Sequence, residues 1–315
     1  MTILIAYFFV VLIWATTPLA IQWSSDSLSF IAAASLRMAL ALTIGLLINF
    51  VLRRKLFSDA NAWRTYAAGA IGIFPNMPVV YWSAQFIPSG LIAVIFAMSP
   101  FVTGLMTIIL LKQNPFNLRR MFALLLAVAG LIVIFHQQFQ LSVNALYGVA
   151  GILLSCFLFG FSSVLVKKVD VKTHAFDQML GSLLFSLPGL LISWWLLDGH
   201  LPLMISDRSL AAISYLAILG SLLGITLFFY VLANMTATAV SMITFMTPIL
   251  ALLLGAVLAH ESLSWQLWVG ASCVITALLA YQDFSLNARL LKALRRPAWR
   301  EDSLRELKRE VSRFK

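Results

Sequence analysis

Apolar runs of about 20 residues recur from one end of this chain to the other, and nothing else constrains its fold as strongly. A helix of that length spans roughly 30 Å, the thickness of a bilayer's hydrocarbon core. Of 315 residues, 61% are hydrophobic and 11% charged. A soluble domain carries about a quarter of its residues charged. The pattern predicts an all-α integral membrane protein. Ten transmembrane helices are expected, as spans 1 to 10: 3–22, 30–52, 64–86, 90–111, 120–136, 146–166, 176–197, 209–232, 237–259 and 265–282. The first run, ILIAYFFVVLIWATTPLAI, has no basic residue before it and no small-residue cleavage site after it. It reads as a span, not a signal peptide. Cys156 and Cys273 both fall inside apolar runs, so no disulfide framework or zinc pattern forms from them. His136, His174, His200 and His260 make no metal-ligand spacing. No metal, cofactor or catalytic residue is expected.

Nearly all the basic residues lie between the spans; Arg37 lies within one, and Arg208 is the one in an outer connection. With the N-terminus cytoplasmic, the inner connections hold Arg53, Arg54, Lys55, Arg64, Lys112, Arg119, Arg120, Lys167, Lys168 and Lys172. The tail 283–315 adds ten more, so 20 of the 22 Lys and Arg face inward. Only an even number of spans puts the tail on that side, which supports ten spans with both termini cytoplasmic. The net charge of +10 is then a topology signal, and no nucleic-acid partner is inferred from it. After Pro297, Leu304, Leu307, Val311 and Phe314 share one helical face, which suits either a membrane-surface helix or a solvated tail.

A shift of 148 residues lays the two halves over each other without gaps. YWSAQFIPSGLIAVIFAMSPFVTGLMTIIL (81–110) meets FYVLANMTATAVSMITFMTPILALLLGAVL (229–258). Met98 then meets Met246, Pro100 meets Pro248, and Gly72 meets Gly220. Each half holds five spans, an odd number, so the second half must run upside down relative to the first. The expected units are 3–136 and 146–282, two inverted five-helix repeats, followed by the basic cytoplasmic tail 283–315. Transporters built this way place the substrate near the midplane between repeats.

These residues resemble the drug/metabolite transporter superfamily, in its branch with two tandem EamA domains. The resemblance rests on WATTPLAI around Trp14, LRMALAL around Arg37, AMSPFVTGLM, FMTPILALLL and HESLSWQLWVG, and covers about residues 3–282. It departs at Gln113 and Phe122, which stand opposite Glu261 and Gly270, so those positions do not form a symmetric pair. The resemblance implies a ten-span solute transporter, often an exporter of metabolites or amino acids. It leaves the substrate open.

Candidate site residues follow from polar or strained positions at membrane depth. GIFPNMPVVYW places Pro75 and Pro78 around Asn76, near the middle of span 3. Each proline removes a backbone donor, and a broken helix is tolerated where freed carbonyls face protein or a wet cavity. The shifted partner of Asn76 is Gly224, in span 8. The expectation is that the break opens carbonyls to a central cavity and Asn76 offers a donor and an acceptor. The competing reading is a packing kink whose Asn bonds a neighbouring helix. Arg37 lies seven residues into span 2, roughly 10 Å deep. Its charge calls for a substrate anion, a helix carbonyl or a snorkelled pose. Trp14, Tyr81, Trp82, Gln178 and Tyr230 complete the expected substrate-binding set. Gln85 and Asn234 lie at span ends, where a solvated reading wins. Pro75, Pro78, Gly220 and Gly224 are the expected hinge or helix-break positions, although close packing explains glycines equally well.

No Asp or Glu occurs mid-span. Small multidrug exporters, to which the resemblance extends, carry a Glu in their first span. Here span 1 offers Trp14, Thr16 and Thr17 instead. A lipophilic-cation pump is disfavoured, and so is an ATP-driven one, since no phosphate-binding loop is present. The reading that results is a secondary transporter in the bacterial inner (plasma) membrane, as a monomer or homodimer. It would move a small neutral or zwitterionic, amino-acid-like metabolite outward by alternating access. The alternatives are an importer or exchanger of a vitamin- or nucleoside-like solute, and a non-transporting membrane scaffold. A membrane enzyme would need a catalytic set that this sequence does not display.

Overall fold

The structure is a computed structural model that describes residues 2–57, 59–87, 89–135, 143–200, 202, 204–248, 250 and 265–281. His136, the segment with His260 and Glu261, and the tail 283–315 lie outside the described residues. Among those described, the regular structure is helical, with no strand.

The helical stretches follow the order of the ten expected spans. Spans 1 and 2 are α1 (Ile3–Ser24) and α2 (Phe30–Val51). Span 3 is split into α3 (Ala62–Ala70) and α4 (Asn76–Ser83), and span 4 into α5 (Ser89–Phe96) and α6 (Ser99–Leu111). Spans 5 to 7 are α7 (Leu118–Phe135), α8 (Val143–Val169) and α9 (Ala175–Leu197). Span 8 runs through α10 (Asp207–Tyr215), a π-helix (Leu216–Leu223) and α11 (Gly224–Asn234). Span 9 opens with α12 (Ala237–Ser241), turns at Met242 and is helical again over 243–248. Span 10 is α13 (Trp265–Tyr281). Five stretches are long and apolar enough to cross a membrane unaided: Ile3–Ser24, Phe30–Val51, Asn144–Val169, Ala175–Leu197 and Asp207–Asn234.

Local chemistry sets these ends. The Ser29 hydroxyl accepts from the Ala32 amide at 3.2 Å to start α2, and the Thr236 hydroxyl does the same for Ala239 at the start of α12. Besides span 3, spans 4, 8 and 9 are interrupted. In span 4, Ala97 and Met98 form a turn and Pro100 enters the first turn of α6, where its missing N–H costs nothing. The Ser99 hydroxyl takes up the Phe96 carbonyl at 2.6 Å. In span 8 the interruption is a π-helix, and the 148-residue shift lays the span 3 turn (71–75) over its last five residues (219–223).

Packing between spans repeats when five is added to each span number. Span 1 packs on span 8, and span 6 on span 3; span 3 packs on span 7, and span 8 on span 2. Span 1 meets span 4 as span 6 meets span 9, and span 2 meets span 3 as span 7 meets span 8. Spans 2 and 7, 4 and 9, and 5 and 10 pair with each other. A two-fold relation between halves generates such a network, because it maps the self-paired spans onto one another.

Spans 2 and 7 are joined at both ends. Arg54, just past α2, donates to both carboxylate oxygens of Asp177 in the first turn of α9, at 3.0 and 2.8 Å. That hydrogen bond pushes the Arg54 pKa up, against an opposing effect of burial. At the other end, the Ser29 hydroxyl donates to Asp198 just past α9 at 2.5 Å. Between these clasps the helices run close: a side chain at Gly45 of α2 would meet Leu180 of α9 at 2.8 Å, and one at Gly181 of α9 would overlap the buried Tyr66 ring of α3. In lipid this kind of close approach replaces the hydrophobic drive that holds soluble helices together. Spans 5 and 10 form a second core with Ala97, Met242 and Phe245, at the breaks of spans 4 and 9.

Candidate functional site

The breaks of spans 3 and 8 and Arg37 come together where spans 1, 2, 3, 6 and 8 meet. Arg37 is 3% exposed. Its Nε donates to the Ser221 hydroxyl at 2.9 Å, and its Nη1 to the Tyr81 hydroxyl at 3.4 Å. A Cβ on Gly220 would lie 3.1 Å from Nη2, so the absent side chain is what seats the guanidinium against the π-helix. Arg37 has no carboxylate partner among the described residues. One short bond and one long one leave most of its five N–H donors uncommitted to groups of the described residues.

One turn further along span 8, Gly224 seats a second group. A Cβ there would meet the Trp14 Nε1 at 3.2 Å and the Leu219 carbonyl at 3.0 Å. The Trp14 indole stacks on Phe228 at 5.2 Å and meets Phe159 edge-on at 5.9 Å; Phe159 and Phe228 are 5.3 Å apart. Phe96, at the end of α5, meets the same Phe159 at 6.4 Å. Gly220, Gly224 and Phe228 recur every four residues, so one face of span 8 presents first the cation and then the aromatic wall. Pro18 removes the N–H that would serve the Trp14 carbonyl one turn back. This arrangement suits a small solute with a carboxylate beside an apolar body.

The span 3 break is differently built from the sequence expectation. Its carbonyls are largely taken by protein donors. The Ser162 hydroxyl donates to the Ala68 carbonyl at 2.7 Å, and Ser186 to that of Ala70 at 3.2 Å. Asn76 is fully buried; its Nδ2 donates to the Gly72 carbonyl at 3.0 Å, and its Oδ1 accepts from Ser155. Asn76 thus ties the break to span 6. Pro75 and Pro78 withdraw donors from the carbonyls of Ile71 and Phe74, as the sequence requires.

The remaining candidates separate. Tyr81 is buried and belongs to the Arg37 cluster. Trp82 faces the other way, edge-on to Phe86 at 4.9 Å and beside Gly151 of span 6. Gln178 is 3% exposed and uses its full amide: Oε1 accepts from Thr65 at 2.9 Å and Thr173 at 3.0 Å, while Nε2 donates to the Thr65 carbonyl at 2.7 Å and to Ser182 at 3.2 Å. It pins span 7 to span 3 and has nothing left for a solute. Tyr230 is half-buried against the core, and its carbonyl accepts from Asn234, which is exposed like Gln85. Sequence reasoning missed Ser221, Phe159 and Phe228. Their only sequence signal is position: Ser221 follows Gly220 directly, and Phe228 stands one turn past Gly224.

The profile of the EamA-like transporter family matches residues 1–136 and, a second time, 146–281. Protein PecM of Dickeya dadantii is 25% identical over 293 residues, covering 90% of this chain and 94% of PecM. The uncharacterized inner membrane transporter YedA of Escherichia coli is 26% identical over 282 residues, covering 87% and 88%. A solved crystal structure superposes with a TM-score of 0.67 over 91% of this chain and 97% of its own, at 16% identity. The likeness at that identity is one of fold.

Proposed function

Because the chain belongs to the EamA-like transporter family, a family of membrane transporters, we propose that it is a secondary transporter of a small neutral or zwitterionic, amino-acid-like metabolite. It moves that solute outward across the inner membrane, with both termini in the cytoplasm, by alternate opening of the two repeats. The observation that carries this reading is Arg37: a buried cation without a carboxylate among the described residues, held by Ser221 and Tyr81 beside the Trp14–Phe228 stack. A bound carboxylate supplies the missing counter-charge, and the aromatic wall takes the solute's apolar part. The site touches both halves, through spans 2 and 3 on one side and span 8 on the other. A rocking motion of one half against the other therefore exposes it to either face. Basic residues gathered in the connections assigned to the cytoplasm support the orientation.

Untargeted profiling of medium and cells, with and without overexpression, tests the reading. The expected result is that one or a few carboxylate-bearing metabolites rise in the medium and fall in the cells. An unchanged profile, or movement confined to lipophilic cations, would refute it.

A further inference from the structure

A cavity of about 470 Å³ opens between the first turn of α3 and the last turns of α8, lined by Asn61, Arg64, Leu165, Lys168, Val169 and Val171. It is separate from the cluster around Arg37. One turn deeper along α8, the Ser162 hydroxyl donates to the Ala68 carbonyl and closes the space between the two helices.

The lining has two chemistries. Leu165, Val169 and Val171 make an apolar wall. Arg64 and Lys168 bring two exposed cations, neither with an acidic partner among the described residues. Two carboxylates lie nearby: Asp59, whose Oδ1 accepts from the Asn61 amide at 2.7 Å, and Asp170, next to Val169. Lys167 and Lys172 flank the same turn, so the local balance stays positive. The first turn of α3 holds no acidic residue, and Asp59 alone faces its start, through the Asn61 amide. The Arg64 guanidinium lies over the Trp63 ring at 5.6 Å, and Trp63 is 49% exposed. Tryptophan at a span end marks the headgroup level of a bilayer.

We propose that this cavity binds the headgroup of an anionic phospholipid. Its phosphodiester sits between Arg64 and Lys168, and its glycerol lies against the Leu165–Val169 wall. Basic pockets between transmembrane helices take lipid headgroups in this way. A soluble phosphate would use the two cations but not the apolar wall. The lipid would bridge spans 3 and 6 across the one interface that the Ser162 bond leaves open at its end.

Thermal unfolding of the detergent-purified full chain, titrated with dioleoylphosphatidylglycerol, tests this. The anionic lipid is expected to raise the melting temperature with a saturable midpoint, and dioleoylphosphatidylcholine is not. The double variant Arg64→Gln/Lys168→Gln is expected to move that midpoint about 30-fold to higher lipid, since each cation near an anionic headgroup contributes about a five-fold effect. Leu165→Trp, which keeps both charges and fills the cavity, is expected to weaken the response as well. Arg53→Gln/Lys55→Gln, two basic residues outside the cavity, is expected to leave it unchanged. The proposal is overturned if the cavity variants titrate like the parent, if phosphatidylcholine acts equally, or if inorganic phosphate alone reproduces the stabilisation.

Discussion

Replacing Arg37 with methionine separates a transport role from a structural one. The guanidinium makes one good charge-assisted hydrogen bond, to Ser221 at 2.9 Å, a contact contributing about 1.5–3 kcal/mol. The bond to Tyr81 at 3.4 Å is long enough to add little. Against these stands the cost of holding an arginine near the centre of a membrane helix, about 2.5–3.5 kcal/mol on insertion scales. The two nearly cancel. Arg37→Met, close in volume and apolar, should change stability by about 1 kcal/mol in either direction, or about 2–4 °C in melting temperature. The effect on a carboxylate-bearing solute should be much larger. Removing one member of a buried ion pair costs about 3–5 kcal/mol, more than about 100-fold in apparent affinity. The assay is uptake into proteoliposomes of a panel of labelled amino acids and of the amines that lack their carboxylate, beside a melting curve. Amino-acid KM should rise at least about 100-fold while transport of any amine stays near the parent value. A melting temperature lower by more than about 10 °C, with unchanged KM for the surviving protein, would show that Arg37 holds the fold and refute the reasoning.

Two further predictions concern positions the structure assigns to architecture. Gln178→Leu strands Thr65 and Ser182 and removes four hydrogen bonds; it should destabilise by about 2–4 kcal/mol, seen as a fall of about 5–10 °C, with KM of the folded protein unchanged. Gly181→Ala drives a methyl into the Tyr66 ring, which cannot retreat because its hydroxyl is held by the Leu56 carbonyl at 2.6 Å; a loss of about 1–3 kcal/mol is expected in the same melting experiment.

Much of the architecture was legible because the bilayer imposes one length and one polarity on every span. The 148-residue shift was enough to read a tandem repeat, which the two matches to the EamA-like family bear out. The span 3 break was equally legible, because two prolines three residues apart leave a helix no alternative. The break of span 4 was not read, although Pro100 causes it: its missing N–H leaves the Phe96 carbonyl to the Ser99 hydroxyl, which reads in sequence like any small residue. In span 8, Gly220 and Gly224 were named as break positions, but the π-helical form was not legible, since those glycines gain their role only once Arg37 and Trp14 arrive against them. Asn76 and Gln178 mark the limit of depth as a guide. Both were candidates because they are amides near or within spans, but whether an amide is free depends on Ser155, Thr65 and Ser182, residues 79, 113 and 4 positions away. Arg37 and Tyr81 fell together for the opposite reason, as a charge that must find company and a hydroxyl within its reach.

The account stands on a solute site between the repeats that opens in turn to each side, and accessibility of Ser221 measures this most directly. In a background with Cys156 and Cys273 replaced by alanine, Ser221→Cys should react with a membrane-impermeant thiol reagent in both right-side-out and inside-out vesicles, and transported solute should slow both reactions. Labelling only by a lipophilic reagent, or from one side alone whatever solute is present, would contradict it.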